Sequence, residues 1–357
     1  MDEPKAAENT IATDTPFKVS VILVCYNSRQ WLTKCLESLR AQTINSEIEI
    51  IVVDNASTDG SQELAEKLTN GWLNARVVQT GRNLGFGGGN NVGARVARGR
   101  YLYFLNPDTW FERDCLEQLY LTTEREHAGG AGATVLEYED DTLQAKGSDG
   151  FDLFGNPVSP SRGRDPQPLF CIAGFYFIRR DLFMRLGMMD EKFFMYGEEM
   201  DLSWRIWISG EKIVYAKAAR MHHRGAVAVN PAGGTKTVEN RTSTLKRYLA
   251  NRNFLLVIAK NGQHFLTLML ISCVALMLAE GVATILITRS GAVVRRTCLD
   301  AIADVWRLRD HVCEQRCHIK GLRRRSDFWM LRFLRLGFGR GHEVASILRR
   351  GFPEFNR

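Results

Sequence analysis

The first hundred residues alternate between two kinds of apolar pattern. Unbroken, partly β-branched runs occur at 19–25 (VSVILVC), 48–54 (IEIIVVD), 77–79 (VVQ) and 101–106 (YLYFLN), and each predicts a buried strand. Between the first two, Trp31, Leu32, Cys35, Leu36 and Leu39 recur at helical spacing. SQELAEKL begins another helix after the Asn55–Gly60 turn. Strands alternating with helices predict a doubly wound α/β sheet, which binds ligands beyond the carboxyl ends of its strands. The polar clusters at 26–28, 54–59 and 106–108 fall at those ends.

From about 130 to 230 the pattern is less regular, rich in Gly and Pro until CIAGFYFIRRDLFMRLG (171–187). A third region holds RYLANRNFLLVIAKNG, the apolar stretch 265–287 and a basic tail. No internal repeat is visible. The expected division is a disordered N-terminus (1–16), an α/β catalytic domain (17–235) and a helical, basic and apolar C-terminal region (236–357).

Composition narrows this picture. With 45% hydrophobic and 24% charged residues, the chain reads as globular and not disordered. The net charge of +7 is local: residues 289–357 carry 16 Lys or Arg against 7 Asp or Glu, so the rest is slightly acidic. That tail mixes its Arg with long apolar runs, which argues against nucleic acid as a partner. Eight cysteines without a CxxC pair suit a reducing compartment. The polar first residues resemble neither a signal nor a transit peptide, so the expected location is the cytoplasm.

Five segments carry candidate chemistry. Asp54, at a strand end before a Ser/Thr/Asp/Gly turn, can accept hydrogen bonds from a nucleobase or ribose, or cap the next helix. RNLGFGGGNNVGARVARG (82–99) lets backbone approach a ligand, with a flexible glycine turn as the plainer reading; it lacks the GxGxxG spacing of a dinucleotide fingerprint. Asn106-Pro107-Asp108-Thr109 places a carboxylate where it can bind Mg²⁺ or Mn²⁺, or simply form a turn. Glu198, Glu199 and Asp201 crowd together just before a helix expected to start near Asp201. Acids suit a helix N-terminus in any case, but crowded carboxylates also raise one another's pKa, as a general base needs. Phe193, Phe194 and Tyr196 are expected to line a pocket beside them. His222 and His223, after the strand KIVYAKAA, can complete a metal site or lie inert on a loop.

The strings VSVILVCYN, VVDNASTDGS, RNLGFGGGNNVG, FLNPDT, FFMYGEEMDLSWR and HHRG, in that order over about residues 17–230, resemble the inverting family 2 glycosyltransferases, and within them a rhamnosyltransferase-like branch. The resemblance implies a GT-A α/β/α sandwich with a helical, membrane-associating C-terminal extension. It implies that Tyr26, Asn27 and Asp54 contact the base and ribose of a nucleoside-diphosphate sugar, with Arg82 nearby. Asp108 matches the second Asp of the DXD motif, whose first position is Asn106 here, leaving one carboxylate fewer for Mg²⁺ or Mn²⁺. Glu199 matches the catalytic base, supported by Glu198 and Asp201, and stands where many relatives carry Asp. His222 matches the His near metal and diphosphate. The implied donor is a dTDP-sugar, rhamnose first, or a UDP-sugar; the acceptor is a saccharide or lipid-linked saccharide of a cell-surface glycan. A non-catalytic nucleotide-sugar-binding protein is the alternative that Asn106 keeps open. A Rossmann dehydrogenase is excluded, because CYNSRQW stands where its fingerprint belongs.

Residues 265–287 are long enough to span a bilayer, but Glu280 lies inside them and basic residues flank both sides. The expectation is therefore an interfacial or re-entrant helix on the inner face of the cell membrane, with 323–338 as a second amphipathic element on anionic lipid. The competing possibility is a helical pair packed on the catalytic domain. His311, Cys313, Cys317 and His318 lack a second set of ligands and read as one face of a helix.

Overall fold

The apolar runs become strands because only pairing on both edges and cover on both faces satisfies them. In the computed structural model, which describes residues 16–160, 165, 167–225, 241–289, 291–336 and 354–356, β1 (Val19–Cys25) is buried along its whole length. α1 (Arg29–Arg40) turns Leu32, Cys35, Leu36 and Leu39 inward, as their spacing predicts. β2 (Ile48–Asp54), α2 (Ser61–Thr69), β3 (Ala75–Gln79), α3 (Gly85–Val96) and β4 (Tyr101–Leu105) follow. The polar N-terminus and the domain boundary expected near 235 lie outside the described residues.

The glycine-rich segment is neither a ligand-cradling loop nor a flexible turn. It is α3 itself, and eight of its residues are buried. Glycine disfavours a helix by roughly 1 kcal/mol per residue, so packing must override propensity. A Cβ on Gly89 would come within 2.7 Å of Val24, and one on Gly93 within 2.5 Å of Ile22. The absent side chains let the helix lie directly on β1.

β5 (Thr109–Phe111), α4 (Cys115–Arg125), β6 (Gly130–Glu137) and β7 (Leu143–Ala145) lead to a two-residue-stranded hairpin, β8 (Gly150–Phe151) with β9 (Pro157–Val158). β10 (Phe177–Arg179), α5 (Arg180–Arg185), α6 (Glu198–Ile208) and β11 (Ile213–His223) complete the main sheet. Its order is β3-β2-β1-β4-β10-β6-β11-β5, with β7 beside β6. The first four strands are parallel, whereas β10 runs antiparallel to both β4 and β6. The sheet is therefore mixed, with helices on its faces. Strand order reverses at β1, between β2 and β4, so the crevice of an α/β sheet opens at residues 25–27, 54–55 and 105–108.

The C-terminal region is helical. After β12 (Arg241–Ser243) come α7 (Thr244–Asn261), α8 (Met269–Thr288), α9 (Gly291–Val294), α10 (Asp300–Arg307), α11 (Arg309–Leu322) and α12 (Asp327–Met330). β13 (Glu354–Asn356) pairs with β12. α7 buries eleven residues, among them Asn251, Asn253, Lys260 and Asn261. α8 packs one side, through Cys273 and Met277, against Leu255, Ile258, Val294 and Cys298. Its other side leaves Ile271, Leu278, Val282 and Leu286 exposed, a stripe at helical spacing. Leu266–Leu286 is the one stretch among the described residues long and apolar enough to cross a membrane.

Candidate active site

Asp54 ends β2 with its side chain almost fully buried. Its Oδ2 accepts a bond from the Ser57 N–H at 3.2 Å, while Oδ1 has no partner. A buried carboxylate oxygen left unpaired is costly, so it is poised for a donor from outside the chain. Asn27 holds φ of 49° and accepts bonds from the backbone and hydroxyl of Thr58 at 2.8 and 3.3 Å, tying the ends of β1 and β2 together. Tyr26 is half exposed beside it and Arg82 is exposed. Asn55, which sequence reasoning passed over, does most of the local bonding. It accepts from the Leu84 N–H and the Thr80 hydroxyl, and donates to the Asn83 side chain and the Gly85 carbonyl.

Asp108 follows β4 through Asn106 and Pro107 and is buried. The Thr109 hydroxyl closes the turn on the Asn106 carbonyl at 2.7 Å. The Gly225 N–H reaches Asp108 Oδ2 at 3.2 Å, and the Arg224 N–H reaches the Asp108 carbonyl at 3.0 Å. The histidine beside this carboxylate is His223, with Nε2 3.4 Å from Asp108 Oδ2. His222, expected to share a metal with Asp108, points the other way. It stacks on Trp110 at 3.6 Å and faces Glu112 and Asp141. Adjacent strand residues face opposite sides, so only one of the pair can meet Asp108. A register shift between Ala216 and Arg220 in β11 decides which. His223 Nδ1 meets Gln144 Oε1 at 2.8 Å, a contact in which Nδ1 donates, and Nε2, which offers a lone pair in the neutral ring, is turned to Asp108. A carboxylate and an imidazole lone pair converging in this way fit a divalent cation.

The acidic helix α6 starts at Glu198, three residues earlier than expected. Glu198 is buried with Oε2 unpaired, and Glu199 is half-buried, its Oε2 accepting from the Gly197 N–H at 3.2 Å. Burial, then the charge of Glu199, pushes the Glu198 carboxyl well above the ordinary range. Burial raises Glu199 as well, against the backbone N–H groups of Glu199 and Gly197 that favour its charge. Asp201 is not brought to this pair. It turns towards Arg205 Nη2 at 2.7 Å, Lys260 Nζ at 3.1 Å and Asn261 Nδ2 at 2.8 Å. Burial would raise its pKa, but Arg205 and Lys260 hold it below the usual value.

The loop before α6 is strained and then fastened. Phe194 and Tyr196 have φ of 64° and 70°, a region costly for bulky residues. Asn253 Nδ2 lies 2.7–2.9 Å from the carbonyls of Phe193, Met195 and Tyr196. From the opposite side, the Phe86 N–H at the start of α3 bonds the Phe194 carbonyl at 2.7 Å. Phe193 is fully buried, so it packs the loop down instead of lining a pocket. Below it, Lys260 bridges Asp190 at 2.5 Å and Asp201, while His311 Nε2 lies 2.9 Å from Asp190. His311 thus belongs to this network, and Cys313 and Cys317 are exposed free thiols. No sequence signal marks Asn253 or Lys260 beyond their place at the two ends of the apolar run 254–259.

Residues 20–187 match the profile of glycosyl transferase family 2. EpsH of Bacillus subtilis (strain 168) is 38% identical over 109 residues, 30% of this chain and 31% of that protein. Glycosyltransferase GlyA of Streptococcus pneumoniae is 26% identical over 219 residues, 58% of this chain and 30% of that protein. The chain thus spans under a third of the length of either relative. The crystal structure of Staphylococcus aureus TarS 1–349 in complex with UDP-GlcNAc superposes with a TM-score of 0.56 at 17% identity, covering 86% of this chain and 89% of that one.

Proposed function

We propose, from the premise that residues 20–187 form a glycosyl transferase family 2 domain, that this protein transfers a sugar from a nucleoside-diphosphate donor to a hydroxyl of a cell-surface glycan precursor, inverting the anomeric carbon. The observation that carries the reading is the raised, crowded Glu198–Glu199 pair at the start of α6. It directly follows a loop bonded to α3, whose own N-terminal turn is tied by Asn55 to the strand end that bears Asp54.

In this reading Asp54 Oδ1 accepts a hydrogen bond from the base or ribose, with Tyr26, Asn27 and Arg82 around it. Asp108 and His223 hold Mg²⁺ or Mn²⁺, which when bound neutralises the leaving diphosphate. Glu199 takes the proton of the acceptor hydroxyl as its oxygen bonds to the anomeric carbon, and the sugar–phosphate bond breaks on the opposite side. Burial keeps Glu199 basic, and its charge together with burial keeps Glu198 protonated. The UDP-GlcNAc held by TarS supports a UDP-sugar as donor. The likeness to the rhamnosyltransferase-like branch supports dTDP-rhamnose as the other to try. The exposed apolar stripe of α8 supports an acceptor presented at the inner membrane face.

Transfer from UDP-hexoses, UDP-GlcNAc and dTDP-rhamnose to extracted lipid-linked saccharides, with Mn²⁺ present, tests the reading. Glu199→Gln should lower turnover about 10²–10⁴-fold while donor binding, followed calorimetrically, stays within a few-fold of the native chain. Native turnover in that variant removes Glu199 from the role of base, and donor binding with no transfer by the native chain favours a non-catalytic binding protein.

A further inference from the structure

On the far face of β11 from Asp108, a second group of ligand atoms converges. His222 is 1% exposed, and its ring is held flat against Trp110. Its Nδ1 lies 2.9 Å from the Glu137 carbonyl. A carbonyl can only accept, so Nδ1 carries a proton, and Nε2, which offers a lone pair in the neutral ring, turns outward. That lone pair faces Glu112 Oε1 at 3.3 Å and Asp141 Oδ1 at 3.8 Å. All three atoms lie within 4.8 Å of one another. Three atoms of metal-ligating type, one imidazole nitrogen and two carboxylate oxygens, thus point at one spot. Arg220 Nη2, 3.3 Å from Asp141 Oδ1, balances the charge of one carboxylate.

The geometry points to a second divalent-cation site, formed by His222, Glu112 and Asp141, that takes a borderline ion such as Zn²⁺. With bonds of 2.0–2.2 Å, ligand atoms around tetrahedral zinc stand about 3.3–3.6 Å apart, close to the two separations measured. The mixed imidazole and carboxylate donor set suits zinc better than magnesium, which prefers oxygen alone. The Glu137 carbonyl supplies the outer contact that orients a metal-binding histidine. Three protein ligands leave a fourth position for water. Glu112 directly follows β5, and β5 directly follows Asp108. An ion here ties the ends of β5 and β11 together and so steadies Asp108 and His223 on the opposite face, without taking part in transfer.

Titration of the metal-stripped full-length chain with Co²⁺, a visible-absorbing stand-in for Zn²⁺, tests this. The expected result is one tetrahedral absorption band, displaced by Zn²⁺, unchanged in Asp108→Asn and weakened at least tenfold in affinity in Glu112→Gln/Asp141→Asn. Both positions of the double variant are solvent-accessible, and a thermal melt checks that it folds. A band kept by the double variant but lost in Asp108→Asn would assign the ion to the donor site and overturn the inference. Absence of Zn²⁺ binding by the native chain, leaving a proton to bridge the three atoms, would overturn it too. Neither readout depends on glycosyl transfer, so failure here leaves that reading standing.

Discussion

His222 and His223 are neighbours in sequence with separate surroundings. Sequence order shows that a histidine follows the last strand of the sheet, but it cannot show which one meets Asp108. That depends on the shift in pairing between Ala216 and Arg220, a property of two strands together. Asp54, Asp108 and the Glu198–Glu199 pair were legible because a strand end or helix start is itself written in the apolar pattern. Asp201 was not: two residues beyond Glu199 on the same helix, it faces another side, towards Lys260. The two glutamates also set the pH response. Both carboxyls are raised by burial, so Glu199 loses its proton only above the ordinary carboxylate range. The acidic limb of kcat/KM should therefore have its midpoint above the ordinary glutamate value of 4.5, measured with a donor whose own ionisation is constant. A limb at or below that value would contradict the burial argument. The sign for stability is opposite: the pair contributes most when protonated, below the unfolded pKa, and that contribution is lost as pH rises through the folded values.

At the scale of elements, α3 is the clearest departure from what the sequence suggests. Its glycines read as a loop because glycine is a poor helix former, yet contact with β1 requires their bareness. Gly85 has a second duty at the helix start, with φ of 73° and a virtual Cβ only 2.1 Å from the Phe194 carbonyl. Gly85→Ala forces both an unfavourable backbone angle and a clash with the loop that leads into Glu199. It should cost about 1–3 kcal/mol of stability, read by urea unfolding. If Glu199 is the base proposed above, displacing that loop should also lower kcat more than it raises the donor KM. A variant with native stability and native kcat would show that α3 and the loop do not share this contact. The strand KIVYAKAA followed its pattern closely, since local and tertiary preferences agree there.

The whole molecule joins a mixed α/β sheet to a set of helices with an unusually apolar outer side. Ile271, Val282 and Leu286 are each more than half exposed along α8, and Trp306 and Phe328 add exposed aromatics from α10 and α12. Buried contacts on its other side argue for a helix lying in the interface plane over one that leaves the fold to cross a bilayer. The full chain should float with vesicles containing anionic lipid. Ile271→Asp/Val282→Asp should shift most of it to the soluble fraction without lowering its melting temperature, since neither side chain is buried. Equal flotation of that variant would remove α8 as the contact.

The fastening of the base-bearing loop bears on how such a fold can be recombined. The stretch that matches the family ends at residue 187, before Glu199, and the groups that hold Glu199's loop reside at Asn253, Lys260 and His311. The helices are therefore not cargo appended to a self-sufficient cassette. A chimera that exchanges this C-terminal part exchanges half the socket of the Glu198–Glu199 pair, unless it keeps α7 with Asn253 and varies only what lies beyond it.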